Sequence, residues 1–162
     1  MEQTQLTTDC LIIRVQSIGD NDKLLTVLSR DLGVISVYAS GAKNIKSKKG
    51  AATSLLCYSS LTLKKKGEHY RITEASPIEV FFKTGDDIEA LALAQYFCEL
   101  ALNHAPSDES SEQVLRLFLN ALHFLSERCF FSSRELQNVK RGEILYSFIK
   151  FKISSVRLSP NP

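Results

Sequence analysis

The first half of the chain alternates short apolar runs with turn-forming residues, a pattern that predicts β-strands. The runs are rich in β-branched residues, and glycine-containing turns separate most of them. They cover residues 10–15, 24–28, 34–39, 54–63 and 70–75. Five short strands within about eighty residues fit a small closed barrel better than an open sheet. We therefore predict a five-stranded OB-fold (oligonucleotide-binding) barrel.

After Pro77 the period of the apolar residues changes from that of strands to that of helices. A first helix is predicted from Ile88 to about Asn103, opened by the capping box Asp86-x-x-Glu89. Its apolar residues lie nearly all round, so we expect it to be buried between other elements. Ser110-x-x-Gln113 and Ser132-x-x-Glu135 predict the starts of two further helices.

The predicted fold class is therefore α+β, an N-terminal five-stranded OB-fold barrel followed by a small all-α helical domain. We place the barrel domain at residues 1–80 and the helical domain at 81–162. No low-complexity linker separates the two.

The composition, 44% hydrophobic and 23% charged, is that of an ordinary folded protein. No apolar run approaches the roughly 20 residues that a membrane span needs, and residues 1–5 lack the pattern of a signal peptide. We expect a cytoplasmic protein with no membrane partner.

The potential metal ligands are scattered along the chain. Four cysteines, at positions 10, 57, 98 and 129, form no C-x-x-C pair, and three histidines show no H-x-x-x-H spacing. We expect each cysteine to be a small buried apolar residue, and we predict no metal site and no cofactor.

Charge changes this picture, because it is concentrated between residues 41 and 71. Eight basic residues against the single acid Glu68 give this stretch a charge of +7, whereas the whole chain carries +2. The basic residues are Lys43, Lys46, Lys48, Lys49, Lys64, Lys65, Lys66 and Arg71. Tyr58, His69 and Tyr70 lie among them, and basic groups with aromatic rings are what a nucleic-acid groove requires. The alternative is a solvated hairpin whose lysines protect sheet edges.

Catalytic motifs are not recognisable in the sequence. There is no nucleophile elbow, zinc-protease motif or phosphate-binding glycine loop. Asp20 and Asp22 are interpreted as residues of a turn rather than as an acid–base or metal pair. We predict that the protein is not an enzyme.

Several short motifs, in order, resemble the start of bacterial RecO, a DNA repair and recombination mediator family. They are Leu11-Ile12-Ile13, Asp20-Asn21-Asp22-Lys23-Leu24, Ser29-Arg30-Asp31-Leu32-Gly33, Ala39-Ser40-Gly41-Ala42-Lys43 and Lys46-Ser47-Lys48. Tyr70-Arg71-Ile72-Thr73-Glu74-Ala75 resembles the family's fifth strand, and the segment from Leu93 to Leu100 resembles its first helix. The resemblance covers most of residues 8–100 and is looser beyond them.

The chain departs from the family pattern at a few positions. Asp20 stands where the family usually has Glu, and Ser29 stands where it usually has Thr. Leu56-Cys57-Tyr58 replaces the proline-aromatic pair that often opens the fourth strand. The family often continues into a region with a four-cysteine zinc site, and this sequence reaches Pro162 before any such cysteines.

The resemblance implies binding of single- and double-stranded DNA through the barrel, and annealing of complementary strands. It also implies contacts with RecR and with the acidic C-terminal tail of the single-strand-binding protein, and indirect action on RecA, which the mediator helps to load. The expected location is the cytoplasm, in association with the nucleoid. The eight basic residues would line the DNA groove, and Tyr58 or Tyr70 would offer a stacking platform.

A second site is predicted on the helices, where basic residues flank apolar surface. Arg128, Arg134, Lys140 and Arg141 would receive an acidic peptide such as that tail, unless they simply face water. Two other functions stay open, namely a protein-interaction adaptor built on the barrel and an RNA-binding barrel.

Overall fold

A computed structural model describes residues 5–43, 48–67, 69–81, 88–105 and 109–131. The chain divides into two compact units, Met1–Cys129 and Phe130–Pro162. The first unit contains the strands and the described helices, apart from the last two residues of the final helix. The predicted third helix falls in the second unit and outside the described residues. The capping residue Asp86 belongs to the first unit and also lies outside the described residues. The predicted domain boundary at residues 80 and 81 stays a prediction.

Five strands form the N-terminal half, as the apolar runs predicted. They are β1 (Gln5–Ile18), β2 (Asp22–Ser29), β3 (Gly33–Ala39), β4 (Cys57–Lys66) and β5 (His69–Val80). Their order in the sheet is β1-β2-β3-β5-β4, and β1 closes the ring by pairing with β4. The β3–β5 pair is parallel, and every other pair is antiparallel. This closed five-stranded arrangement confirms the predicted barrel and the α+β class.

Alternating side chains of the strands fill the barrel. Along β3 and most of β4, buried residues alternate with partly or fully exposed ones, as expected where one face of a sheet faces a core. Leu25, Val27, Val37, Leu61 and Leu63 lie in this core with at most 1% of their surface exposed. The outward-facing residues between them are therefore free to build a site on the barrel surface.

The bounds of the last two strands differ from the prediction. β4 continues through Lys66, so Lys65 and Lys66 belong to a strand rather than to a turn. β5 continues past Pro77 to Val80, so Pro77 does not end the strand region. Pro77 pairs with Ser59 next to a register shift, and such a bulge tolerates a residue that has no N–H donor.

A short helix, α1 (Lys48–Ala52), lies between β3 and β4, where the sequence predicted only a loop. Thr53 follows its last residue, and the Thr53 hydroxyl donates a 2.7 Å hydrogen bond to the carbonyl of Lys49. Five residues are too few to show a helical period in the sequence, which explains why the helix was missed.

The helix α2 (Ile88–His104) has nearly the predicted bounds. It buries one narrow face formed by Ala94, Cys98 and Ala101, whereas Tyr96 and Ile88 are 58% and 82% exposed. The prediction that this helix is buried nearly all round was therefore wrong. Only small side chains are fully buried on it.

The helix α3 (Glu112–Phe131) begins one residue later than the predicted capping box implies. The carbonyl of Ser111, rather than that of Ser110, accepts the first helical bond, at 2.8 Å from the Leu115 nitrogen. The Ser110 hydroxyl instead donates to the carbonyl of Arg30, which also accepts from the Ser111 nitrogen. The start of α3 is thus bonded to the turn between β2 and β3.

The same turn carries a polar cluster that we call the polar joint, formed by Thr8, Ser29, Arg30, Asp31 and Ser111. The Thr8 hydroxyl lies 3.0 Å from that of Ser29 and donates to Asp31 at 2.5 Å. Arg30 forms ion pairs with Asp9 and Asp31. Thr8 and Ser29 are almost fully buried, so their hydroxyl groups need these partners.

Candidate nucleic-acid interface

The hairpin of β4 and β5 brings four of the predicted basic residues together. Lys64 pairs across the strands with Arg71, Lys65 with Tyr70, and Lys66 with His69. Gly67 turns the chain with φ of +64°, a conformation that glycine adopts without steric cost. Like charges placed opposite each other, as at Lys64 and Arg71, destabilise a sheet. The hairpin therefore concentrates positive charge at some cost to its own stability.

Two cations of the hairpin lie over tyrosine rings. The guanidinium carbon of Arg71 is 5.1 Å from the centre of the Tyr38 ring, and the Lys65 ammonium is 5.7 Å from that of Tyr70. Both distances lie within the range of cation–π attraction. The contact with Tyr38 forms because β5 runs beside β3 at the pair Tyr38–Arg71.

An open pocket of about 440 Å³ lies beside these residues, and we call it the Tyr38 pocket. It is lined by Leu24, Ser36, Tyr38, Lys66, His69, Tyr70 and Arg71. The first three belong to β2 and β3, and the others belong to the end of the β4–β5 hairpin. In OB folds the face of strands 2 and 3, with the loop between strands 4 and 5, is the surface that binds oligonucleotides.

Asp22, the first residue of β2, holds one wall of this pocket. Its carboxylate accepts hydrogen bonds from the Tyr38 hydroxyl and, at 2.8 Å, from the backbone nitrogen of Gly41. These two bonds, with the positive charges of Arg71 and Lys43, lower the pKa of Asp22. The hydrogen bond between Tyr38 and Asp22 also raises the pKa of the Tyr38 hydroxyl, so the tyrosine stays a neutral donor.

Lys43 connects the first basic segment to this site. Its backbone nitrogen donates to the carbonyl of Asn21 at 3.1 Å, and its ammonium donates to the carbonyl of Gly19. Lys23 pairs with Ala39 across β2 and β3. Its partial burial and the charge of Lys43 both lower its pKa. The two basic segments of the sequence therefore meet around Asp22.

The other predicted DNA-binding residues lie apart from the pocket or outside the described part. Lys48 and Lys49 belong to α1, and Lys46 lies outside the described residues. Tyr58 lies near the start of β4, seven residues and roughly 23 Å of extended strand from Lys65. It pairs with Leu11 and Glu79, so the structure does not bring it to the Tyr38 pocket.

The predicted peptide site falls almost wholly beyond the described region. Arg128 is a residue of α3, whereas Arg134, Lys140 and Arg141 lie outside the described residues. The proposed role of these four residues stays a prediction.

Sequence reasoning missed Asp22, Tyr38 and Lys23 as residues of the site. Asp22 was interpreted as a turn residue, and Tyr38 as part of an apolar run. The outward position of Tyr38 follows from the alternation along β3, between buried Val37 and buried Ala39. Its contact with Arg71 depends on the β3–β5 pairing, which local sequence patterns do not specify.

Three of the cysteines are buried, and the described residues offer no clustered metal ligands. No group of three or more His, Cys, Asp or Glu side chains among them is arranged to hold a metal ion. Cys10, Cys57 and Cys98 are free and buried as predicted, and burial raises the pKa of both Cys10 and Cys98 to about 12. Within the same ranges, no helix has the length and apolar character to cross a membrane.

Comparison with known proteins gives matches over both halves of the chain. The family "Recombination protein O N terminal" matches residues 1–81, and "Recombination protein O C terminal" matches residues 85–138. The chain is 33% identical over 122 residues to the DNA repair protein RecO of Acetivibrio thermocellus, which is 75% of the chain and 49% of that relative. It is 26% identical over 146 residues to that of Dehalococcoides mccartyi strain 195, which is 90% of the chain and 53% of the relative. The chain thus spans about half the length of these curated relatives.

Proposed function

The chain belongs to the recombination protein O family, and from that premise we propose that it is a DNA-binding mediator of recombinational DNA repair. One observation carries the proposal at the level of this chain. Lys66 and Arg71 of the β4–β5 hairpin line the Tyr38 pocket, and Lys43 lies near Asp22 beside it, on the face that OB folds use for oligonucleotides.

The proposed mechanism is electrostatic. Lys64, Lys65, Lys66 and Arg71 bind phosphates of one strand, and Lys43, Lys46, Lys48 and Lys49 extend the basic surface. Neutralising phosphates on two strands at once lowers the repulsion that slows their annealing. This role needs no chemical step, so we propose a function without enzymatic activity and without a cofactor.

The proposed partners follow from the family rather than from the geometry. We propose that the protein contacts RecR and the acidic tail of the single-strand-binding protein, and that it thereby helps RecA to load onto coated DNA. It would act in the cytoplasm on nucleoid DNA. The tail would bind the helices near Arg128, Arg134, Lys140 and Arg141, and titration of the tail peptide at moderate salt would test that contact.

The first experiment is a comparison of single-stranded DNA, duplex DNA and RNA at several salt concentrations. If about six phosphates are contacted, the logarithm of the single-strand affinity should fall with that of salt at a slope of roughly −4. Affinity that hardly responds to salt would contradict the proposal and favour an adaptor whose lysines serve solubility. A clear preference for RNA would favour an RNA-binding barrel.

The second experiment is a matched pair of double charge reversals. Lys65→Glu with Lys66→Glu should abolish most DNA binding, because the two cations that would bind phosphates are replaced by anions. Both side chains are exposed, so the fold should stay intact. Arg14→Glu with Arg116→Glu changes the net charge equally, also at exposed residues. Arg14 contacts the helix α2 through Glu99, and Arg116 lies on α3. Equal losses in the two variants would show that only net charge matters, which would contradict a localised site.

A further inference from the structure

We propose that the Tyr38 pocket holds one unstacked nucleobase of a single strand, and that this contact makes the protein favour single-stranded over duplex DNA. The inference rests on the proposed DNA-binding function. It adds a binding site for a nucleobase to the basic surface that is proposed to bind phosphates. Bases in a duplex are stacked and paired, so only an unstacked base can place its face against a protein ring.

The lining of the pocket suits a base because apolar and aromatic groups lie beside polar ones. The rings of Tyr38 and Tyr70 and the side chain of Leu24 are half-buried, so each keeps part of its surface exposed. The hydroxyl of Ser36 and the ring of His69 can meet the polar edge of a base. The volume, about 440 Å³, is within the usual range for small-molecule sites.

The cations beside the pocket suit the phosphates that flank such a base. Lys66 and Arg71 line the pocket and are exposed. A guanidinium that lies over a ring keeps N–H donors at its edge, and these donors match the oxygens of a phosphate. Base and backbone contacts would therefore be adjacent.

Asp22 is the positioning residue of this site. Its carboxylate, at the start of β2, accepts from the hydroxyl of Tyr38 on β3 and from the nitrogen of Gly41 in the turn after β3. These two bonds hold the Tyr38 side chain in place. The charges of Arg71 and Lys43 offset the negative charge of Asp22. A ring held in place before the ligand arrives loses less conformational entropy on binding.

The test measures fluorescence anisotropy with a labelled strand of about 16 thymidines, the upper site size of one OB fold, and with a duplex of equal length. Tyr38→Ala and Tyr38→Leu should weaken single-strand binding about 5- to 150-fold, the range for the loss of one base–aromatic stack. Duplex binding should change less than about twofold, because its bases do not enter the pocket. Tyr38→Phe keeps the ring and should retain most of the single-strand affinity.

Two controls separate stacking from damage to the fold. Tyr96→Ala removes an exposed tyrosine on α2 and should change neither affinity. A strand of the same length built from abasic units keeps the phosphates and removes the bases. The unaltered protein should lose affinity for it, whereas Tyr38→Leu should show no further loss. This second comparison stands even if Tyr38→Ala fails to fold.

The outcomes distinguish this inference from the proposed function. If Tyr38→Leu binds the thymidine strand as tightly as the unaltered protein, while Lys65→Glu with Lys66→Glu does not bind, the base site is overturned and the DNA-binding surface stands. Equal losses on single strands and duplex would also overturn the base site. If the unaltered protein binds neither nucleic acid, the proposed function itself fails.

Discussion

Asp22 and Asp31 each accept a hydrogen bond from a hydroxyl group and lie close to an arginine, yet they serve different parts of the molecule. Asp31 accepts from Thr8 and pairs with Arg30 in the polar joint. Asp22 accepts from Tyr38 beside the Tyr38 pocket, where the Arg71 guanidinium lies over the partly exposed ring. In both sites the hydrogen bond from the hydroxyl is the largest contribution to a lowered carboxyl pKa.

The difference lies in the balance of charge around each aspartate. At the polar joint the single cation Arg30 is influenced by three acids, Asp9, Asp31 and Glu112. At the pocket, Asp22 feels two cations, Arg71 and Lys43, and the lysines of the hairpin are adjacent. An aspartate that accepts from a hydroxyl group therefore has two different settings. At the polar joint the acids outnumber the arginine and the contacts stabilise the fold, whereas at the pocket the cations outnumber the aspartate and leave an excess of positive charge.

The largest expected difference between the two regions is in stability, and two serines allow it to be measured. Ser29→Ala should destabilise the protein by about 1–3 kcal/mol, the usual cost of leaving buried donors without a partner. The hydroxyl of Ser29 accepts from the backbone nitrogens of Asp31 and Leu32, both at 3.3 Å, and bonds Thr8. Urea unfolding would measure the loss.

The matched variant for that measurement is Ser36→Ala, in the lining of the Tyr38 pocket. Ser36 is exposed, so its replacement should change the free energy of unfolding by less than about 0.5 kcal/mol. Similar values for the two serines would contradict the view that the polar joint stabilises the fold more than the pocket does.

Acid should weaken both regions. The pKa values of Asp22 and Asp31 are lower in the folded protein than the ordinary 3.8. Each carboxylate therefore adds to the free energy of unfolding, and this contribution is fully present when the pH is above the pKa of the unfolded chain. This contribution is lost as the pH falls through the folded pKa. Asp22→Asn and Asp31→Asn should each be less stable than the unaltered protein at pH 7, with a gap that closes as the pH falls below about 4. Urea unfolding at several pH values would measure this difference in the free energy of unfolding. A difference that stays constant with pH would contradict a role for the charge.

The smallest expected effect concerns DNA and separates the two aspartates directly. Asp22→Asn removes a negative charge beside the cations and should raise affinity for duplex DNA about two- to fivefold at low salt, with less gain at high salt. Asp31→Asn removes the same charge at the polar joint and should leave duplex affinity unchanged. Equal gains in the two variants would indicate an effect of net charge alone.

The errors in the sequence interpretation have physical causes. Pro77 was taken to end the strands because the period of the apolar residues changes after it. Proline lacks an N–H donor, but a bulge in the pairing with β4 accommodates it within β5. The helix α2 was expected to be buried on most sides, yet only its face of small residues is fully buried. In both cases tertiary contacts decided what local pattern and propensity left open.

The sequence by itself determined the five strands, the two longer helices α2 and α3, and the concentration of positive charge between residues 41 and 71. These features depend on local periodicity and composition, which a single chain displays directly. Tertiary structure alone decided that Asp22, Tyr38 and Arg71 meet. Their contact requires the parallel pairing of β3 with β5, two strands that begin more than thirty residues apart. Local periodicity does not specify which distant strands become neighbours in the closed barrel.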